Sequence, residues 1–260
     1  MNASERRRSR SLVHALPTVV LAGLVLLAPR PAQGQSAAAP IHFFWADAVV
    51  RHIAPENNEY GTGPSYVQWA GVNGATEYRS RSLCTTFVTN VLKQAYGLTI
   101  YDIATWFGST SPNAILYHDR IVNEIGFEEI QAVDQLAAGD ILAIKYPAGS
   151  SATGHVAISA SVAVRRVATY PVISGTTQYE IAILDSSSTG HGLADTRLTW
   201  RGSWHAGVGK GVMRLYANSG GTIVGYTWST QSGSVYYSKQ VRDIVVGRVT
   251  EPYIALPLPE

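Results

Sequence analysis

A single cysteine, Cys84, is the side chain best suited to nucleophilic chemistry. It is the only cysteine among 260 residues and opens the segment CTTFVTNVLKQAYG, where apolar residues recur at helical spacing until Gly97. A thiol in the first turn of a helix lies against unpaired backbone N–H groups and the positive end of the helix dipole, which both favour the thiolate. The same helix face is apolar, so a packing role for the thiol stays open.

A nucleophilic cysteine needs a base, and His155 is the best-placed histidine. It follows the turn PAGSSATG and opens a strand, HVAISAS. Asp185 ends the next strand, YEIAILD. In an antiparallel meander these strands are neighbours, so the carboxylate can orient the imidazole. His191 and Asp195, in GHGLAD, are the alternatives if the register differs.

The order of elements predicts an α+β fold. Ser82 is a candidate N-cap for the Cys84 helix, and Ser111-Pro112 can start a second helix in SPNAILYHDRIVNEIGFEEI. After LAAGD the period changes to short β-branched runs separated by turns, with a hairpin at Ser219-Gly220-Gly221. Helices followed by antiparallel strands predict helices packed on one face of a curved antiparallel sheet.

The N-terminus indicates export. Residues 1–34 combine a basic start, an apolar run and small residues, as a signal peptide does; an uncleaved anchor is the alternative. Residues 35–59 are expected to be a linker and lead-in segment, and residues 60–255 one domain. These features predict a secreted, periplasmic or cell-envelope protein without stable membrane insertion. A free thiol is unusual in such an oxidising compartment, which favours a functional cysteine.

Charge and motif content argue against several function classes. The net charge of +2 owes much to SERRRSR near the start, so nucleic-acid binding has no electrostatic support. No HExxH motif or cysteine pair predicts a metal site, and no cofactor is expected. The run GVGKG at 207–211 lacks the ending of a phosphate loop and is interpreted as a flexible approach to a strand.

The segments SYVQWAG, LCTTFV, AAGDILAI, GHVAI and ILDSS together resemble the NlpC-type and CHAP-type papain-like cysteine hydrolases. The resemblance implies a papain-like fold with Cys84 as nucleophile, His155 as general base and Asp185 as the orienting residue. It also implies that Tyr66 lines the oxyanion site. Leu83 stands where NlpC-type members usually have aspartate.

The resemblance implies an exported hydrolase of amide bonds that acts through a thioester. Its implied substrate is peptidoglycan, cleaved in the stem peptide or at the sugar–peptide amide bond. Two alternatives remain open: a non-catalytic envelope-binding protein of the same fold, or an amidase or acyltransferase with another substrate. Aromatic residues of the C-terminal strands could line a groove or simply pack the sheet: Tyr216, Tyr226, Trp228, Tyr236 and Tyr237.

Overall fold

A computed structural model describes residues 38–250. The predicted signal peptide and the end of the predicted domain at 255 therefore lie outside the described residues. The α-helices in these residues are α1 (Ile41–His52), α2 (Cys84–Tyr96), α3 (Ile100–Phe107) and α4 (Ala114–Val122). The strands are β1 (Asn58–Glu59), β2 (Tyr66–Gln68), β3 (Arg79–Arg81), β4 (Phe127–Glu129), β5 (Ile141–Lys145), β6 (Gly154–Ser159), β7 (Val164–Arg165), β8 (Thr177–Ser187), β9 (Gly207–Ala217), β10 (Ile223–Thr227), β11 (Tyr236–Ser238) and β12 (Asp243–Val249).

Nine of the described strands form one antiparallel sheet. Its order is β11-β10-β9-β8-β6-β5-β12-β4, with β7 paired to β8 beside this path. Alternating residues of these strands face two separate apolar clusters. One face packs against the helices. On the other face, residues of the strands, including β9, β10 and β12, form a second cluster with residues of the 130–136 segment. The predicted α+β class and antiparallel sheet are confirmed.

Helix α2 brings Cys84 onto the sheet. Its apolar stripe of Phe87, Val88 and Val91 is fully buried, and it ends at Gly97, whose left-handed backbone conformation forms the C-cap. The predicted N-cap is wrong: Leu83 occupies that position, and the Ser82 hydroxyl hydrogen-bonds the Ser80 hydroxyl instead. The start of α2 therefore has no side-chain cap, so its first N–H groups stay available to a ligand.

Two further expectations about the helical region differ from the structure. Helix α4 is capped by Asn113, whose side-chain oxygen accepts from the Leu116 N–H, rather than by Ser111-Pro112. The segment 35–59, expected as a linker, forms α1 from Ile41 onward. Its Ala46 and Val49 are fully buried in the core shared with α2. Burial of this apolar face stabilises the helix.

A glycine fixes the strand that carries His155. Gly154 has φ +150°, and a Cβ atom there would clash with the backbone oxygen of Ile144. Only glycine allows β6 to start this close to β5, with His155 opposite Ile144. The hairpin predicted at Ser219-Gly220-Gly221 is also present, joining β9 to β10. Within residues 38–250, none of the helices has the length and apolar character needed to span a membrane.

Candidate active site

A gap between two strands forms the site. Strands β6 and β8 are paired only at Ile158 and Ser159, and they separate toward His155. Cys84, the first residue of α2, lies close enough to this gap for the backbone of Val156 and the ring of His155 to act on the pKa of its thiol. The helix N-terminus and the open strand edge thus bring the thiol next to the imidazole of His155.

Cys84 and His155 favour each other's charged forms. Burial opposes ionisation of the thiol. The positive charge of His155, a hydrogen bond from that ring and the bond from Val156 nevertheless lower the pKa of Cys84. Burial also opposes protonation of His155, but the Cys84 thiolate and the Asp185 carboxylate raise the pKa of His155 to about 10. Both shifts therefore favour a thiolate beside an imidazolium over a neutral thiol beside a neutral imidazole.

The structure brings the third candidate, Asp185, onto the same imidazole. Its Oδ2 lies 2.7 Å from His155 Nε2, which leaves Nδ1 as the ring nitrogen that serves the thiol. Asp185 is fully buried, and burial alone would raise its pKa. The charges of His191 and Arg197, with hydrogen bonds from both histidines, instead hold the pKa of Asp185 well below its usual range. The carboxylate remains ionised and can fix the ring of His155.

His191, considered from the sequence as an alternative partner, contacts the same aspartate. Its Nε2 lies 2.8 Å from Asp185 Oδ2. Asp195, the other alternative, does not replace Asp185; it accepts from the His191 backbone N–H at 2.7 Å and pairs with Arg197. The β8–β9 loop therefore supports Asp185 rather than substituting for it.

Sequence reasoning missed Arg197, which links the two aspartates. Its Nη2 lies 2.9 Å from Asp185 Oδ1 and 2.7 Å from Asp195 Oδ2, and the residue is 2% exposed. Space for this loop comes from β9: a Cβ at Gly209 would meet Arg197, and one at Gly211 would meet Asp195. Glycines at every second position of a strand indicate that another segment approaches that face closely. The run GVGKG at 207–211 has this spacing and could have predicted the contact with the loop that carries Arg197.

The pair of histidines on Asp185 also raises the question of a metal. One ligand atom each from His155, Asp185 and His191 lie within 4.8 Å of one another. Both imidazoles, however, are at hydrogen-bond distance from one carboxylate oxygen, while the Arg197 guanidinium occupies the other. A fixed cation on the only carboxylate of the set disfavours a divalent ion there. The donor set fits a hydrogen-bonded catalytic dyad better than a metal centre.

Two tyrosines, Tyr66 and Tyr60, are candidates for lining the oxyanion site. Tyr66 lies on β2 opposite Arg81 and is half-buried; its predicted role near the thiol stays a prediction. Tyr60, which sequence reasoning missed, lies within electrostatic reach of Cys84 and Asp185. Burial and these two negative groups raise the pKa of Tyr60 to about 12, so its hydroxyl keeps its proton. The chain offers no obvious local motif for Tyr60, because only the tertiary fold brings it to the site.

The aromatic strand residues contribute directly to the site. The Trp228 ring contacts the His155 ring edge-on at 5.1 Å between centroids and stacks on His191 at 5.4 Å. Trp228 is half-buried, so it forms a wall next to the catalytic pair. Tyr216, by contrast, is fully buried against Arg214 and serves packing. The expected packing role is confirmed for Tyr216, and the expected groove stays a prediction.

Replacing Arg197 with methionine is expected to lower the free energy of unfolding at pH 7 by about 3–5 kcal/mol, because it leaves two buried carboxylates without their cation. Asp185 has a lowered pKa in the folded protein, so it stabilises the fold above its unfolded pKa and loses this effect as pH falls. Without Arg197 the folded pKa rises. The difference between variant and wild type should therefore shrink below about pH 4 in urea unfolding curves.

The matched control is Arg248→Met. Arg248 pairs with buried Asp140 at 2.9 Å, but its own side chain is 40% exposed. We expect a clearly smaller loss than for Arg197→Met, since solvent screens a partly exposed pair. Equal losses for the two variants at pH 7 would contradict the role assigned to the buried Arg197.

A separate cavity lies away from these residues. It has a volume of about 320 Å³ and is lined by residues of β2, of the following loop and by Gln94 of α2. None of the candidate catalytic side chains lines it. This cavity is therefore not part of the candidate site in the gap between β6 and β8.

Comparison with known proteins gives one informative relative. No protein-family model matches the chain, and no solved structure matches it. The chain is 32% identical over 227 residues to an uncharacterized protein of Acanthamoeba polyphaga mimivirus. The alignment covers 81% of this chain and 96% of the viral protein.

Proposed function

We propose that this chain, which belongs to the same family as that mimivirus protein, is a papain-like cysteine hydrolase that cleaves amide bonds. One observation carries the proposal: Asp185 lies 2.7 Å from His155, while the His155 charge lowers the pKa of Cys84 and the Cys84 thiolate raises that of His155 to about 10. A nucleophile, a base and a group that orients the base are the three parts required for acyl transfer through a covalent intermediate.

The fold supports the papain-like assignment. A helix carries the cysteine at its N-terminus and packs against an antiparallel sheet that carries the histidine and the aspartate. This is the arrangement that the sequence resemblance to NlpC-type and CHAP-type hydrolases implies. Because one fold can serve several functions, the geometry of the site carries more weight than this likeness.

The proposed reaction begins with attack by the Cys84 thiolate on the amide carbonyl carbon. A carbon–sulfur bond forms, and the carbonyl oxygen becomes an oxyanion. As the carbon–nitrogen bond breaks, the His155 imidazolium gives its proton to the leaving amine, and a thioester remains. His155, now neutral, takes a proton from water; the hydroxide adds to the thioester and releases the acid and the thiolate.

The oxyanion lies next to the uncapped start of α2. The backbone N–H of Cys84 and the positive end of the helix dipole can stabilise its charge. The Tyr60 hydroxyl, protonated at neutral pH, is the second donor that we assign. Tyr66, implied by the resemblance, is the alternative for that position. Asp185 touches no reacting atom and acts as a positioning residue for His155.

The substrate class follows from the resemblance and the predicted export. We propose peptidoglycan as the substrate, cleaved either within the stem peptide or at the sugar–peptide amide bond. A secreted, periplasmic or cell-envelope location would place the site beside this polymer. An amidase or acyltransferase acting on another substrate would use the same three residues.

The test is product analysis by mass spectrometry. The purified chain is incubated with peptidoglycan and, separately, with synthetic stem peptides, and new amino and carboxyl termini are identified. The control is the same preparation after its thiol has been blocked with iodoacetamide. New termini that require the free thiol are expected. Equal product release by free and blocked protein would reject the cysteine mechanism, and no release by the free protein would favour the binding protein of the same fold.

A further inference from the structure

A continuous aromatic wall leads from the catalytic histidine to an arginine. Trp228 contacts His155 at 5.1 Å between ring centroids and Tyr226 at 5.1 Å. Tyr226 contacts Tyr237 at 5.6 Å. The guanidinium carbon of Arg242 lies 3.9 Å from the centroid of the Tyr237 ring. The wall therefore ends in a cation on the same side of the sheet as His155.

Arg242 is held between two rings. Its guanidinium carbon is also 4.2 Å from the centroid of Tyr146, so the group lies against two faces. Burial raises the pKa of Tyr146, the Arg242 charge opposes that rise, and the Cys84 thiolate adds to it. Tyr146 thus lies within electrostatic reach of both the arginine and the nucleophile. The stacking restricts the guanidinium to a fixed plane beside the site.

The donors at this end of the wall lack a carboxylate partner in the described part of the chain. Among residues 38–250, no carboxylate lies at ion-pair distance from Arg242, which is half-buried. The fully buried Tyr226 hydroxyl lies beside the guanidinium and has no hydrogen-bond acceptor in the described part of the chain. A planar guanidinium with an adjacent phenol suits a carboxylate, which accepts two parallel N–H bonds and one O–H bond.

We propose that Arg242 binds a carboxylate of the substrate and so positions the neighbouring amide at Cys84. The site would select amides that carry a carboxylate near the bond to be cleaved. This inference rests on the proposed function, because the subsite is defined by its position relative to the nucleophile. The carboxylate can be the C-terminus of a peptide or the side chain of an acidic residue.

The test compares alkylation of Cys84 by matched probes. N-iodoacetylglycine, N-iodoacetyl-β-alanine and N-iodoacetyl-γ-aminobutyric acid carry one electrophile and a carboxylate at increasing distance, and each is paired with its own carboxamide. For at least one length we expect the carboxylate to react about fivefold faster at low ionic strength. The ratio of the two rates cancels any effect on the thiol itself.

Replacing Arg242 with glutamine should lower this ratio to about 1, whereas Arg242→Lys should retain part of it. The matched control is Arg165→Gln. Arg165 is exposed and lies on β7 opposite Tyr179 of β8. Tyr179 is six residues along β8 from Asp185, so Arg165 is about 20 Å from the site. It should keep the wild-type ratio. A ratio near 1 in wild type at every length, or an unchanged ratio in Arg242→Gln, overturns the subsite.

A second pair of probes distinguishes the two sources of carboxylate. N-iodoacetylglutamine carries a terminal carboxylate, and the α-amide of N-iodoacetylglutamic acid carries it on the side chain. Preference for one of them over N-iodoacetylglutamine amide, lost in Arg242→Gln, identifies the source that the subsite accepts. No preference for either contradicts the proposal.

Failure of the proposed function would look different. If no probe alkylates native Cys84, the nucleophile is rejected and the subsite is tested alone in the Cys84→Ala chain. N-acetyl-γ-aminobutyrate and its amide are titrated while the indole N–H signal of Trp228 is followed by NMR. Shifts that require both the carboxylate and Arg242 support the subsite, and their absence rejects it.

Discussion

Cys84→Ala is expected to lower the rate of amide hydrolysis by about 10⁴-fold or more, because removal of the nucleophile leaves only binding and oxyanion stabilisation. Cys84→Ser should lose nearly as much. A serine hydroxyl in the same place has a much higher pKa than the thiol and stays protonated beside His155. The measurement is the initial rate of release of new amino termini from the substrate identified by mass spectrometry.

Stability provides the control for these variants. Cys84 is 7% exposed, and serine nearly retains its volume but leaves His155 without a thiolate, so we expect Cys84→Ser to fold with a moderately lower urea midpoint than wild type. Loss of hydrolysis in a variant that is still fully folded without urea assigns the effect to chemistry. Hydrolysis by folded Cys84→Ala at a tenth of the wild-type rate or more would remove Cys84 from the mechanism.

His155→Gln is expected to produce the second largest loss, about 10³-fold in hydrolysis, because the general base and the imidazolium are both removed. The same change removes the charge and hydrogen bond that lower the pKa of Cys84. That pKa should return to its ordinary value of about 8.5 or above, and alkylation by iodoacetamide at pH 6 should slow about 100-fold.

The chain contains a matched control for this histidine. His42 is also buried, and it hydrogen-bonds the Tyr96 hydroxyl at 2.5 Å and the Gly139 carbonyl at 2.6 Å. His42→Gln should change stability without changing the rate of alkylation at pH 6. If both variants keep wild-type thiol reactivity, His155 does not ionise Cys84.

The order of elements and the contact between His155 and Asp185 could be predicted from the sequence because local patterns determine them. The apolar spacing after Cys84 predicts α2, and Gly97 ends it with a left-handed cap. Strand-start and strand-end positions suggested that His155 and Asp185 would meet, and their side chains lie 2.7 Å apart. Adjacent antiparallel strands place such residues together almost regardless of the rest of the fold.

The support around Asp185 could not be predicted in the same way. Arg197 and His191 reach the aspartate from a loop, so their contacts depend on loop conformation rather than on a repeating pattern. Tyr60 follows β1 and precedes the motif SYVQWAG, in which the family resemblance selects Tyr66 instead. Caps were also misassigned, since several polar residues near a helix start satisfy the same sequence rule.

The pH dependence of Cys84 alkylation in the native chain tests the thiolate–imidazolium pair most directly. The second-order rate with iodoacetamide is measured from pH 4 to pH 10. Because the pKa of Cys84 is lowered and that of His155 is raised to about 10, the rate should reach its plateau at a lower pH than the rate of a free thiol does. A rate that rises about tenfold per unit between pH 6 and pH 8, as for a free thiol, would contradict the account. Labelling only after unfolding would contradict it equally.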